Sequence, residues 1–254
     1  KSSILLAGLG AAGETIVREN IKTRNHTELM LIELGAQIVV NENIVVQSLQ
    51  HPLNTFEMTI PGDPSSAAFL GAAAAMIPNS DITIKNILAN QTRFGFFSVL
   101  EKMGAGIKLN NMRKECGELV GDIQIISRPI NGIDITKEIV PSIIDELPII
   151  AVLASQADSP TTVSGAKELR VKESDRINAV CVNLKNMGCE VIEKQDGFII
   201  NPINSLHHTN IKTFGDHRIA MAFTIAGLLT NESNILDDEG CINISFPEFN
   251  KILD

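Results

Sequence analysis

Four stretches of this chain are apolar on nearly every face over helical lengths: Ser2–Ala12, Ser66–Ile77, Glu146–Ala157 and His217–Leu229. Helices of that kind must be buried all round. A short strand follows each, at Glu14–Val17, Asp81–Ile84, Thr161–Val163 and Ser233–Leu236. Three amphipathic helices then end alike, at Leu34-Gly35-Ala36, Met103-Gly104-Ala105 and Met187-Gly188-Cys189, each with glycine as its stop and an alternating strand beyond it. The recurrence is longer than a solenoid unit, so whole strand–helix modules repeat. Sheets outside with apolar helices inside would satisfy the pattern. It breaks clearly at Thr59-Ile60-Pro61-Gly62-Asp63-Pro64, which predicts one domain over 1–59 and another over 60–254.

Gly8-Leu9-Gly10-Ala11-Ala12-Gly13 matches a dinucleotide-binding fingerprint. That site needs a helix directly after the glycines. Here Glu14–Asn20 reads as strand and turn, so the match is dismissed and the glycines are assigned to helix packing. Composition narrows the partners further. With 44% hydrophobic and 20% charged residues the chain is globular, and the longest apolar candidate, Ala67–Ile77, is closed by Pro78 before it reaches membrane length. A net charge of −9 argues against nucleic acid. Cys116, Cys181, Cys189 and Cys241 lack CxxC spacing and read as thiols of a reducing cytoplasm, neither disulfides nor a metal site. The chain opens inside an apolar element without a Met and is expected to be the later part of a longer protein.

Cations gather where helices begin. Leu169–Arg176 places Arg170, Lys172 and Arg176 ahead of the helical pattern Ile177, Val180, Cys181, Leu184, Met187, with Ser174 as the expected N-cap. Asp145 is expected to cap the helix from Glu146, with Pro148 tolerated in the first turn. Arg218 in Asp216-His217-Arg218 lies at the positive end of a helix, an unfavourable place unless an anion or a carboxylate pairs with it. Asn25 and Glu28 are spaced as a capping box behind Arg24, and Arg93 holds the equivalent place one module later. Any one of these is explained by a solvated turn or a cap. Together they predict an anion site lined by helix N-termini.

The motifs Arg24-Asn25-His26-Thr27-Glu28, Gly62–Ala68, Ile144–Pro148, Leu169–Arg176, Phe214–Arg218 and Ser245-Phe246-Pro247 span the chain. On them it resembles the 5-enolpyruvylshikimate-3-phosphate synthase family. The resemblance implies a two-domain, inside-out α/β fold of βαβαββ units with parallel helices buried within. Residues 1–59 would be the last unit of one domain and 60–254 most of the other, in three units. Roughly the first two-fifths of the family's length would precede Lys1. The implied reaction moves the enolpyruvyl group of phosphoenolpyruvate to the 5-hydroxyl of shikimate 3-phosphate, in the cytoplasm, by a protein that is a monomer when complete.

The same resemblance implies roles for individual residues. Asp145 matches the carboxylate that binds the shikimate hydroxyls and is the base on the 5-hydroxyl. Glu173 matches the residue that gives and retrieves the C3 proton. Lys172 would contact the phosphate of phosphoenolpyruvate, Arg176 and Arg218 its carboxylate, and Arg24 the phosphate of shikimate 3-phosphate. For His217, orientation of the motif and direct participation stay open. No metal or organic cofactor is implied. Ile244 stands where many relatives carry Lys. Other family contacts would lie ahead of Lys1, so the 254 residues alone are expected to be inactive. The alternatives are a UDP-N-acetylglucosamine enolpyruvyl transferase and a non-catalytic domain binding a phosphorylated ligand.

Overall fold

A computed structural model describes residues 1–20 and 22–253. Ile21 and Asp254, which fall in the expected segments 1–59 and 60–254, lie outside the described residues. The chain repeats one arrangement of elements with different completeness. The first module is α1 (Ser2–Leu9), β1 (Glu14–Arg18), α2 (His26–Glu33), β2 (Ile38–Val40) and β3 (Asn43–Gln47), with β3 between β1 and β2. The second is α3 (Pro64–Met76), β4 (Asp81–Leu88), α4 (Gly95–Lys102), β5 (Gly106–Glu115) and β6 (Glu118–Ile126), with β6 likewise central. A parallel bridge from Gly62 to Ile87 stands where a leading strand would lie.

The third module has that leading strand in full. It runs β7 (Asp134–Ile135), α5 (Val140–Ile143), α6 (Leu147–Ser155), β8 (Thr161–Val163), a 3-10 turn over Lys167–Val171, α7 (Arg176–Asn186), β9 (Val191–Lys194) and β10 (Gly197–Ile200). Its sheet order is β7-β8-β10-β9, with β7 parallel to β8 and the other pairs antiparallel. The last elements are β11 (Asn210–Ile211), α8 (His217–Gly227) and β12 (Ile235–Leu236), a parallel βαβ crossover, then a 3-10 turn over Gly240–Ile244 and α9 (Phe249–Leu253). Among the described residues this final module has no second helix–hairpin half.

The three glycine stops have one physical cause. Gly35, Gly104 and Gly188 adopt φ of +92, +110 and +90, the left-handed conformation that ends a helix without a Cβ penalty.

Apolar residues form two separate cores. The larger is built on α3, α6 and α8, which pack against one another behind the sheets. Alanines 67, 68, 72, 74 and 75 on α3 allow that close approach. The smaller core joins Leu5, Leu9, Val17, Leu31, Ala36, Ile44 and Val46. No helix among the described residues is long and apolar enough to cross a membrane.

Several local expectations are corrected. The first helix ends at Leu9, not Ala12, and it is not buried all round: Ile4 and Leu6 are 50% and 55% exposed. Asp175, not Ser174, caps α7, accepting from the Asn178 amide at 3.0 Å. Two adjacent residues of good capping type left the choice to tertiary partners, and Ser174 is drawn instead to Asp216. Glu146, not Asp145, occupies the N-cap of α6. The Asn25–Glu28 capping box does not form: Asn25 Oδ1 accepts from Asn90 Nδ2 at 2.8 Å, and Glu28 pairs with Lys1. The glycine fingerprint runs directly into β1 as expected, but the assignment of its glycines to helix packing holds for Gly8 alone, since Gly10 and Gly13 lie beyond the end of α1 in the turn.

Candidate active site

The helix mouths are not bare. Four of them, those of α3, α6, α7 and α8, carry a carboxyl residue at the cap, and each of these carboxyls faces an arginine. At α3, Asp63 accepts from the Ser65 amide at 3.1 Å and from Arg93 Nη2 at 2.5 Å. At α6, Glu146 accepts from Ser65 Oγ and lies 4.0 Å from Arg218 Nη1. At α7, Asp175 pairs with Arg170 at 2.8 Å. At α8, Asp216 accepts from the Arg218 amide at 2.9 Å and from Arg176 Nε at 2.7 Å. Negative charge at these positions is favoured by the macrodipole and the unpaired N–H groups. The protein's own carboxylates therefore fill the anion positions predicted for ligands, and the arginines complete a layer above them.

Asp145 sits at the centre of that layer. Its Oδ2 is 3.2 Å from Arg24 Nη2 and 3.9 Å from Arg218 Nη2. Its Oδ1 is 3.5 Å from Lys172 Nζ and 3.4 Å from Arg176 Nη1, and its backbone oxygen accepts from Arg218 Nη1 at 3.3 Å. Burial opposes its ionisation, but Arg218, Lys172, Arg176 and Arg24 outweigh that and hold the carboxyl below its ordinary pKa. Arg24 enters from the first module, immediately ahead of α2, and is the expected site residue that this module contributes.

Arg176 is fully buried. Its guanidinium pairs with Asp216 through Nε, Nη2 reaches Glu173 Oε2 at 2.6 Å and Nη1 lies 3.4 Å from Asp145 Oδ1, so a bound anion would reach it in the place of Glu173 or Asp145. A buried guanidinium is tolerated only with such pairing. Asp216 is also fully buried and accepts from Ser174 Oγ at 3.0 Å; its pKa is lowered because the bonds from Arg176 exceed the burial cost. Glu146 is the opposite case: burial dominates and raises its pKa, against the bonds from Ser65 and the charge of Arg218. His217 opens α8, and burial together with Arg218 lowers its pKa, favouring a neutral ring.

Asp145, Lys172, Glu173, Arg24, Arg176 and Arg218 are thus brought together in one cluster, with His217 beside it. Arg170 is not part of it, since its guanidinium turns away to the β9–β10 hairpin. Ile244 lies in the 3-10 turn and is 75% exposed. Sequence reasoning gave no role to Asp216, Glu146 and Ser65. The available signal was an acidic residue directly ahead of an all-apolar helix, twice over. No group of three or more His, Cys, Asp or Glu among the described residues is placed to hold a metal ion. The arrangement can hold a multiply charged anion against four cations and present one carboxylate as a base beside it.

The fold is that of the enolpyruvyl transferases. An enolpyruvyl transferase from Streptomyces tendae, NikO, superposes with a TM-score of 0.72 over 97% of this chain and 56% of its own; at 16% identity that likeness concerns the fold alone. The sequence model of EPSP synthase (3-phosphoshikimate 1-carboxyvinyltransferase) matches residues 1–253, and the chain belongs to that family. A 3-phosphoshikimate 1-carboxyvinyltransferase of Thermodesulfovibrio yellowstonii is 46% identical over all of this chain and 60% of its own length. One from Oceanobacillus iheyensis is 45% identical over 98% and 58%. EPSP synthase from Acinetobacter baumannii superposes with a TM-score of 0.94 at 38% identity, covering 99% of this chain and 58% of its own. The chain therefore spans about three-fifths of the length of these relatives.

Proposed function

We propose that the polypeptide containing these 254 residues transfers the enolpyruvyl group of phosphoenolpyruvate to the 5-hydroxyl of shikimate 3-phosphate. The observation that carries this reading is the Asp145 carboxylate held among Arg24, Lys172, Arg176 and Arg218, with Glu173 next to Lys172 and paired with Arg176. Asp145 takes the proton of the 5-hydroxyl as its oxygen bonds to C2 of phosphoenolpyruvate, and Glu173 gives a proton to C3. In the resulting tetrahedral adduct the C2–O bond to phosphate breaks, and the leaving phosphate takes the proton held by Asp145. Glu173 retrieves a methyl proton, leaving the enolpyruvyl ether and free phosphate. Lys172 neutralises the phosphate of phosphoenolpyruvate, Arg176 and Arg218 its carboxylate, and Arg24 the phosphate of the shikimate substrate. His217, neutral at the start of α8, orients the loop or meets substrate directly. No step calls for a metal or organic cofactor.

We place the protein in the cytoplasm as a monomer. Cysteines without CxxC spacing, of which Cys181 and Cys189 are buried and unpaired, support a reducing compartment. The 254 residues alone are proposed to release no phosphate, because family contacts outside them are needed to complete the site. The test is a melting series with shikimate 3-phosphate and with UDP-N-acetylglucosamine. A ligand at 100 times its Kd adds about 2.7 kcal/mol of stability. We expect an upward shift with the first ligand and none with the second, and loss of the shift in Arg24→Ala. A shift with UDP-N-acetylglucosamine alone, or with neither, overturns the reading. Steady phosphate release by the 254 residues refutes the claim of inactivity.

A further inference from the structure

We infer that Arg170 is a positioning residue that holds the Lys172–Ser174 segment in place by clamping its base to the β9–β10 hairpin. The inference rests on the proposed role of Lys172 and Glu173. Nε of Arg170 donates to the Gln195 carbonyl at 2.8 Å and Nη2 to the Lys194 carbonyl at 2.5 Å. Nη1 reaches Glu193 Oε1 at 3.0 Å and Asp175 Oδ2 at 2.8 Å. One guanidinium thus ties three consecutive hairpin residues to both ends of the loop. The hairpin also grips the loop's approach: the Ala166 amide donates to Asp196 O at 2.7 Å and the Gly165 amide to Asp196 Oδ2 at 2.9 Å.

Between the ties the segment is held through side chains, Glu173 Oε2 at 2.6 Å from Arg176 Nη2 and Lys172 Nζ at 3.5 Å from Asp145 Oδ1. Among the described residues, no backbone–backbone hydrogen bond joins residues 172–174 to another element. Beyond them the chain is fixed again, by Ser174 to Asp216 and by Asp175 at the α7 cap. Lys172 and Glu173 are therefore suspended between two side-chain anchors. The second anchor belongs to the cationic cluster; at the first, among the described residues, Arg170 is the side chain that joins 167–174 to the hairpin, the Gly165 and Ala166 amides adding backbone ties further back. Only a planar fork reaches two carbonyls and two carboxylates at once, so lysine cannot replace it.

Two measurements test this. In the 254-residue chain, exchange of the hydrogen-bonded amides at the two ends of the loop, Gly165, Ala166 and Asn178, should quicken at least tenfold in Arg170→Ala, while α6 amides keep their rates and Arg170→Lys falls between. Unchanged exchange at these amides, or equal acceleration throughout, overturns the inference. Should Arg170→Ala fail to fold, Asp175→Asn serves: it keeps a good cap, loses the ion pair, and should loosen the same amides to a smaller degree. In the full-length polypeptide, Arg170→Ala should lower kcat about 100-fold with KM for shikimate 3-phosphate within about twofold, as expected for misplaced catalytic groups. A wild-type kcat in that variant refutes positioning. Absence of turnover in the wild-type full-length polypeptide is a failure of the proposed activity instead, and the exchange result then decides the clamp alone.

Discussion

Helices α6 and α1 are made of much the same residues and meet opposite surroundings. Every residue of α6, Leu147–Ser155, is buried among α3, α7 and α8. In α1 only Leu5, Gly8 and Leu9 are buried, and Ile4 and Leu6 face outward. Their mouths differ in the same sense. Around α6 the carboxyls of Asp145 and Glu146 are matched by Arg24, Lys172, Arg176, Arg218 and Ser65. At α1, Lys1 Nζ lies 2.7 Å from Glu28 and 3.2 Å from Glu19, yet Glu28 Oε2 is buried without a hydrogen-bond partner. Apolar composition states what a helix requires. The neighbours that supply it are a separate matter, and charge satisfaction follows packing.

The largest effect should come from the buried end of the cluster beside α6. Arg176→Met leaves Asp216 fully buried with its main counter-charge gone, and breaking such a pair costs about 3–5 kcal/mol. Arg24 also contacts Asp145 but is 52% exposed, and Arg24→Met should cost about 0–1 kcal/mol. Urea unfolding of the two variants side by side checks this. Similar losses would mean that burial does not set the value of these cations.

Within the helices, Leu153→Ala in α6 should cost about 2–5 kcal/mol, because the cavity is closed on all sides. That α6 would be buried was legible from its lack of any polar face, and the stops at Gly35, Gly104 and Gly188 were legible because each requires φ above zero. The motif resemblance groups the six residues that the fold clusters around Asp145. The hydrogen bonding beneath them was not legible. Whether Ser174 or Asp175 caps α7 depends on Asp216, more than 40 positions away and supplied only by the fold. That Arg170 leaves the anion site depends likewise on carbonyls of a distant hairpin. The exposure of α1 was illegible for the reverse reason: its residues demand burial, and nothing local reports what is available to cover them.

Acid and base should separate the carboxyls around α6. Asp216 has a folded pKa below its ordinary 3.8, so its contribution is intact above that value and is lost as pH falls through the folded pKa. Glu146 is raised above 4.5, so its contribution is complete below 4.5 and is lost as pH rises through the folded pKa. Unfolding measured from about pH 3 to about pH 8 should show the deficit of Asp216→Asn shrinking at the acid end. Glu146→Gln should gain on the wild type as pH rises. A Glu146→Gln curve parallel to the wild type would place that carboxyl outside the group that burial controls.

The smallest effect belongs to α1. Leu6→Ala removes a side chain that is 55% exposed, and the cost should stay within about 0.5 kcal/mol, against several for Leu153→Ala. The pair isolates surroundings from residue type, since both are leucines of an apolar helix and both lose the same atoms. Unfolding of both variants at two protein concentrations gives the measurement. A cost above about 1 kcal/mol for Leu6→Ala would mean that the outer face of α1 is covered in solution. If that cost also grew with concentration, the cover would come from another molecule, because a contact within one chain is indifferent to concentration.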